Sequence, residues 1–216
     1  MNENIMDHFN NWGAVVIWIV LYGLLLFFLP FYKKCGTKPK GTYIAFIVAF
    51  ALEMFGLPFS IYVISWLFGF TMPEGIFWGH TFFDTIGYWG MYIGGLFMIG
   101  GVTLILIGWR RIYREYWSRK KGDGKIVDTG IYRYIRHPQY TGLFMITLGM
   151  LLEWMTIPLL IMWPVILFTY IRLAKKEERE MTAEFGREYI EYKNRTGMFL
   201  PKLKKPTKTH SIRTST

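Results

Sequence analysis

Long apolar runs constrain the fold of this chain more than any other feature of its sequence. Runs of the length that an α-helix needs to cross a bilayer, about 20 residues, recur along it. Hydrophobic residues make up 52% of its 216 residues and aromatic residues 19%. A soluble domain of this size would carry more charge and fewer uninterrupted apolar runs. We therefore predict an all-α integral membrane protein.

The apolar runs predict five transmembrane helices in a single polytopic domain over residues 1–205. The last two form a helical hairpin, and a charged amphipathic helix from 174 to about 195 follows it, with tyrosines on one face. Glycines in the third span, among them Gly90 and Gly94, predict a close backbone approach by a neighbouring helix or by a ligand, with helix packing the main use. Residues 206–216 are predicted to be a disordered tail. The predicted spans are 12–31, 43–70, 86–109, 138–155 and 157–173.

Charge predicts the orientation of these helices. The formal net charge of the chain is +10. Its lysines and arginines are concentrated in residues 33–40, in residues 110–136 and in the C-terminal region. The positive-inside rule then places the N-terminus outside and the C-terminus in the cytoplasm. Because the basic residues lie at the ends of apolar runs, they do not indicate a nucleic-acid partner. The single cysteine, Cys35, excludes an intrachain disulfide.

A basic motif, Arg136-His137-Pro138-Gln139-Tyr140, precedes the fourth apolar run. Proline fits the first position of a helix and disfavours helix at the residue before it, so we predict a helix that begins at Pro138 with His137 as its N-cap. The free N–H groups of that helix end, beside Arg133 and Arg136, suit a carboxylate or a phosphate. A juxtamembrane loop with ordinary arginines is the alternative interpretation.

Two adjacent carboxylates, Glu177 and Glu178, follow the last apolar run and can accept hydrogen bonds from hydroxyls or an ammonium group. Tyrosine rings nearby in the sequence suit an adenine ring or a cation. S-adenosylmethionine (SAM) offers a carboxylate, an ammonium, a ribose diol, a purine and a positive sulfur, and would use all of these groups. A nucleotide phosphate would use several of them. A solvated helix face balanced by Lys175, Lys176 and Arg179 is the structural alternative.

One carboxylate, Glu53, lies inside the second span, where a charge is costly and normally faces the protein interior. It is either an acid beside the substrate or cofactor, or a partner in a helix–helix hydrogen bond. The sequence does not decide between these two roles. No residues are spaced for a metal site.

The stretch 128–201 resembles the C-terminal half of the isoprenylcysteine carboxyl methyltransferase and phospholipid methyltransferase superfamily, whose members are polytopic enzymes that use SAM. The resemblance rests on residues 130–142, on Glu177-Glu178 and on Phe185-Gly186-Arg187-Glu188-Tyr189 with Tyr192, Arg195 and Pro201. Two positions depart from the family's pattern. Gly100 and Gly101 are adjacent where the family often has a Gly-x-Gly cofactor contact, and Gly197 stands where the family commonly has a proline, so acceptor recognition is expected to differ. The residues that the resemblance assigns to the cofactor pocket are Arg136, His137, Pro138, Tyr140, Gly142, Glu177, Glu178, Tyr189 and Tyr192.

The resemblance implies a SAM-dependent methyltransferase that binds SAM at the cytoplasmic side. Its acceptor would be lipophilic or membrane-associated, such as an isoprenylcysteine carboxylate or a phospholipid amine. Arg195 is expected to meet the acceptor's polar group, and Glu53 to line an acceptor tunnel. Two alternatives remain: an NADPH-dependent intramembrane reductase of the sterol type, and a non-catalytic membrane protein that binds a lipid or a partner. Transport is a weaker one, because the sequence has no inverted repeat.

Overall fold

The computed structural model of the chain describes residues 12–28, 37–55, 67–69, 88–117 and 126–202. In these ranges the fold is all-helical, as predicted, apart from an isolated bridge between Ile135 and Gly197. Short stretches of 3-10 helix at Leu25–Phe28 and Gly130–Arg133, and of π-helix at Tyr113–Trp117, extend or precede the α-helices. The α-helices are α1 (Trp12–Leu24), α2 (Thr37–Phe55), α3 (Trp89–Ile112), α4 (Pro138–Glu153) and α5 (Ile157–Arg195).

Two helical segments, Trp89–Glu115 and Pro158–Arg195, are long and apolar enough to cross a membrane, and a third apolar segment, Trp12–Phe28, is shorter. Large apolar side chains on their outer faces are exposed, among them Ile17 at 65% and Leu96 at 70%. An apolar outer surface on helices of this length is characteristic of a membrane protein. The prediction of five spans is not confirmed by these lengths.

Two helix boundaries differ from the sequence prediction. Helix α2 begins at Thr37 rather than near 43, because Pro39 lies in its first turn, where a missing N–H removes no helical hydrogen bond. Helix α5 joins the predicted last span and the amphipathic helix into one element, since residues 174–178 contain no helix breaker. The predicted boundaries at 31, 70 and 86, Cys35 and the tail over 206–216 lie outside the described residues.

Helices α3 and α4 make the most extensive helix–helix contact of the described fold. A Cβ added to Gly94 would lie 2.6 Å from the carbonyl oxygen of Gly149, and one added to Gly101 would lie 2.5 Å from that of Gly142. The two pairs run in opposite directions along the two helices, so the helices are antiparallel. Only glycine allows backbones to approach this closely. The predicted close approach at Gly94 is confirmed.

Helix α5 is the central element, because α2 and α4 both pack on it, while α1 lies on α2 and α3 on α4. The side chains that fill the interior are large and almost completely inaccessible to solvent. A hydrogen bond of 3.2 Å from the indole N–H of Trp163 to the Thr147 hydroxyl also links α5 to α4. The interior is lined by Tyr43, Phe46, Ile47 and Phe50 of α2, Leu143, Ile146 and Met150 of α4, and Leu159, Ile166 and Tyr170 of α5.

Candidate functional site

The chain after α5 returns to the beginning of α4. We call residues 196–200 the C-terminal strap. The backbone N–H of Arg136 donates to the Gly197 carbonyl at 2.9 Å, and that of His137 donates to the Met198 carbonyl at 3.1 Å. Helix α4 begins at Pro138 with His137 before it, as predicted. The strap thus binds the backbone just before the helix end at which the sequence suggested an anion site.

A sharp bend at Gly186 folds the end of α5 back on itself. Its φ of 54° and ψ of −124° lie in a region that is essentially restricted to glycine. In a straight helix the backbones of residues 178 and 193 would be about 22 Å apart. In the structure Lys193 Nζ lies 3.0 Å from Glu178 Oε2. The bend therefore brings the last turns of α5 next to the paired glutamates.

Arg136 fastens these segments together. Its Nε donates to Glu178 Oε1 at 2.7 Å, and its Nη1 donates to the carbonyls of Lys193 at 3.1 Å and Thr196 at 2.5 Å. The side chain is 7% exposed, so the ion pair with Glu178 is buried. Because protein groups already use its charge, Arg136 acts as a positioning residue for Glu178 and the strap.

The ionisation of Glu178 follows from these contacts. The apolar part of α5 ends at Leu173, so the Glu178 carboxylate lies about one helical turn beyond the apolar segment. Burial raises the pKa of Glu178, but the contacts from His137, Lys193 and Arg136 outweigh burial and lower that pKa to about 2. Glu178 is therefore a fixed anion, neutralised within the protein.

His137 stacks on Tyr140, with ring centroids 5.6 Å apart and planes 11° from parallel. Its Nδ1 lies 3.6 Å from Glu177 and its Nε2 lies 3.5 Å from Glu178. Burial lowers the pKa of His137, and Arg136 lowers it further, against the opposite effect of Glu178. The imidazole is thus neutral at pH 7 and lies between the two carboxylates as a polar but uncharged group.

Unlike Glu178, Glu177 has no lysine or arginine partner among the residues that the structure describes. It is buried and accepts a short hydrogen bond from the Tyr140 hydroxyl. In the described ranges no lysine or arginine forms an ion pair with it, and its nearest basic group is the neutral imidazole of His137. Burial raises the pKa of Glu177 to about 7, although the hydrogen bond from Tyr140 lowers it. A buried carboxylate without a counter-ion is suited to bind a ligand's cation.

The other residues assigned to the cofactor pocket lie at two further places, on the α3-facing side of α4 and beyond the bend of α5. Pro138 and Gly142 are on the face of α4 that meets α3, where they contact Gly108 and Gly101. Tyr189 and Tyr192 lie beyond the bend, both buried, with ring centroids 5.8 Å apart. The Tyr192 hydroxyl donates to the carbonyl of Tyr132 at 2.8 Å, which ties the returning end of α5 to the turn before the motif.

Of the two residues expected on the acceptor side, Arg195 is at the surface and Glu53 is buried far from Glu177 along α5. Arg195 is about half exposed, pairs with Asp128 at the surface and lies over the Tyr192 ring. Glu53 is buried at the other end of α5, where the hydroxyl of Thr156, just before that helix, donates a short hydrogen bond to it. Residues 156 and 177 are separated by about 30 Å along the helix at about 1.5 Å per residue.

Sequence reasoning missed the contributions of Lys193 and Thr196, which complete the coordination of Glu178 and Arg136. No spacing in the sequence brings them there, because the contact depends on the bend. The single useful signal is Gly186 inside an otherwise strongly helical, charged segment, which can indicate a change of direction.

Replacing Gly186 with alanine should cost about 1–3 kcal/mol of stability, because a side chain is strained at this backbone conformation. The bend would relax, and Lys193 would move away from Glu178. Unfolding in detergent measures the effect. Gly23→Ala is the control, since among the residues that the structure describes no neighbour lies within 4 Å of its added Cβ, so this helical glycine should tolerate the change. Equal stability of the two variants would contradict a role for the bend.

Most of the site lies in a part of the chain that matches a known protein family. A family model described as phospholipid methyltransferase matches residues 71–188, more than half of the 216-residue chain. The chain belongs to the phospholipid methyltransferase family. The matched range includes the 136–140 motif, both paired glutamates and Gly186, and it ends before Arg195. The superfamily resemblance seen in the sequence is thereby confirmed, and the reductase alternative is not favoured.

Two curated relatives of the chain are named as methyltransferases. The chain is 33% identical over 85 residues to protein-S-isoprenylcysteine O-methyltransferase of Saccharomyces cerevisiae, a match that covers 39% of this chain and 36% of the yeast protein. It is 24% identical over 181 residues to methanethiol S-methyltransferase of Crocosphaera subtropica, covering 81% of this chain and 66% of that protein. Each match spans less than two thirds of the relative's own length. No solved structure matches the chain.

Proposed function

We propose that the protein is a SAM-dependent methyltransferase that binds the cationic part of SAM at Glu177. The family supports methyl transfer. The observation that carries the cofactor assignment is a buried carboxylate with no lysine or arginine partner in the described residues, held by Tyr140 beside His137. A bound cation would supply the missing charge and stabilise the ionised form of Glu177.

The residues around Glu177 fit this cofactor. SAM would supply a methyl group on a positive sulfur, which an acceptor takes by in-line displacement. Glu177 would hold its cationic part, and the stacked rings of His137 and Tyr140 would offer an aromatic surface next to it. Arg136 and Glu178 are neutralised by protein partners, so their proposed role is to position Glu177, His137 and Tyr140.

The proposed acceptor is lipophilic or membrane-associated and enters laterally between helices. The charge distribution supports five spans with the site on the cytoplasmic side. Arg195, at the surface, would meet the polar group of an approaching acceptor. Glu53 lies too far along α5 to reach a group bound at Glu177, so its proposed place is the deep end of the acceptor path.

Glu177→Gln should weaken SAM binding and remove the part of its pH dependence that comes from the titration of Glu177. With a pKa of about 7, about a tenth of Glu177 is ionised at pH 6 and about nine tenths at pH 8. The cation requires the ionised form, so wild-type affinity should rise about tenfold between these pH values, with proton release on binding at pH 6. The amine of SAM titrates equally in both proteins, so the difference between their calorimetric profiles reports Glu177. Parallel profiles would contradict the assignment.

Methyl transfer itself tests the proposed function. Detergent-purified protein is incubated with methyl-labelled SAM and, separately, with N-acetyl-S-farnesylcysteine, methanethiol or phosphatidylethanolamine vesicles. Transfer to at least one of them, lost in Glu177→Gln, is expected. If SAM binds to neither the wild type nor any variant, the proposed function is wrong and the non-catalytic alternative is favoured.

A further inference from the structure

Two hydrogen-bond donors are buried in the interior without partners. The Tyr43 hydroxyl belongs to a side chain that is 0% exposed, and the amide nitrogen of Gln139 belongs to one that is 4% exposed. Neither atom has a hydrogen-bond partner among the residues that the structure describes. Leaving a buried polar group unpaired is unfavourable, so such a group normally has a partner, either an ordered water molecule or a ligand.

Both donors belong to the layer of the bundle that contains the proposed cofactor site. Tyr43 is in the first turns of α2, within electrostatic range of Tyr170. The Tyr170 ring meets the Tyr140 ring edge-on at 5.2 Å, and the Tyr140 hydroxyl bonds to Glu177. Tyr43 therefore lies near the tyrosine whose ring is next to Tyr140, the residue that holds the carboxylate.

Gln139 approaches the same interior from the other side. It precedes Tyr140 in the first turn of α4, and it lies on the helix face that continues with Leu143 and Ile146, at steps of four and three residues. Both of these side chains are fully buried in the core cluster that also contains Tyr43. The two donors therefore face one apolar interior at the level of the site.

We propose that Tyr43 and Gln139 form a donor subsite that binds the methyl acceptor as an anion, a carboxylate or a thiolate, and not as an amine. This inference rests on the proposed function and narrows its acceptor class. A phenol O–H and an amide NH₂ each offer a hydrogen, so their ligand must offer lone pairs. Hydrogen bonds to a charged acceptor are the strong ones in a dry interior, and an ammonium group has no lone pair to accept them.

With an anionic acceptor, methyl transfer balances without the transfer of a proton. Its lone pair forms the new bond to the methyl carbon, while the electron pair of the broken carbon–sulfur bond remains on sulfur. No proton is lost, so the site needs no general base for this acceptor. A protonated amine would have to lose a proton before it could react.

The test uses the whole chain in detergent and a matched pair of probes, N-acetyl-S-farnesylcysteine and its uncharged methyl ester, with binding measured by calorimetry without SAM. The wild type should bind the acid at least about tenfold tighter than the ester, since hydrogen bonds to a charged group are involved. Tyr43→Phe and Gln139→Met should each remove most of that preference. Because their hydroxyl and amide nitrogen have no partner in the described fold, the melting temperature should not fall.

Tyr22→Phe is the control, because the Tyr22 hydroxyl already donates to Met98 Sδ at 3.1 Å. It should leave the acid-to-ester ratio unchanged. Transfer assays with methanethiol and phosphatidylethanolamine vesicles distinguish a thiolate from an amine acceptor, and transfer to the thiol that falls in both variants would also support the subsite. Equal binding of acid and ester together with no such fall, or transfer to the amine alone, would overturn it. SAM binding is measured separately, so failure of the subsite and failure of the cofactor assignment are distinguishable.

Discussion

Replacing Glu178 with alanine should abolish SAM binding and destabilise the protein by about 3–5 kcal/mol. The change leaves the guanidinium of Arg136, 7% exposed, without its counter-ion, and it removes the contact of Lys193 with the same carboxylate. The end of α5 would then lose its contact with residue 178, and Arg136, which donates to Thr196 of the strap, would lose the carboxylate that positions it. Calorimetry with SAM and unfolding in detergent measure the two effects.

The matched control is Glu191→Ala. Glu191 pairs with Arg187 at 3.1 Å through the same nitrogen, Nε, but both side chains are largely exposed, so the change should leave stability and SAM binding unaltered. The lowered pKa of Glu178 adds a pH criterion. Its contribution to stability should persist above about pH 4.5 and disappear as the pH falls towards 2. Equal effects of the two alanine variants would show that the buried pair does not hold the site.

Gly101→Leu should prevent α3 and α4 from packing, with a loss of at least about 1–3 kcal/mol and a fall in folded yield. Its added Cβ would lie 2.5 Å from the carbonyl of Gly142, a backbone atom that cannot move aside alone. Gly142 is less than one turn from Tyr140, so SAM affinity should fall as well. Gly95→Leu is the control, because no neighbouring residue in the described ranges lies within 4 Å of its added Cβ and the side chain can point away from α4. Retention of yield and affinity by Gly101→Leu would show that the helices are not in close contact.

Local rules predicted the parts of the fold that depend on neighbouring residues. Proline's fixed φ and its effect on the preceding residue set the start of α4 at Pro138. The glycines of the third span predicted a tight helix contact, since small residues are needed wherever backbones approach. The motif and the paired glutamates were also expected to meet, and Arg136, His137 and Tyr140 do contact Glu177 and Glu178.

Long-range geometry was not predictable in this way. The reversal at Gly186 depends on one backbone conformation, and the contacts of Lys193 and Thr196 depend on that reversal. The partner of Glu53 was likewise undetermined, because Thr156 is more than a hundred residues away and periodicity carries no information on which helices are neighbours. The sequence also does not distinguish the two donors that are unpaired in the described fold. Tyr43 is one of many residues in the second apolar run, and Gln139 is one residue of the 136–140 motif.

A calorimetric titration of the detergent-purified protein with SAM, S-adenosylhomocysteine and NADPH tests the central claim most directly. The assignment of Glu177 predicts saturable binding of SAM with proton release at pH 6, saturable binding of S-adenosylhomocysteine, and no binding of NADPH. Saturable binding of NADPH with none of SAM would contradict the account and establish a nicotinamide site in its place.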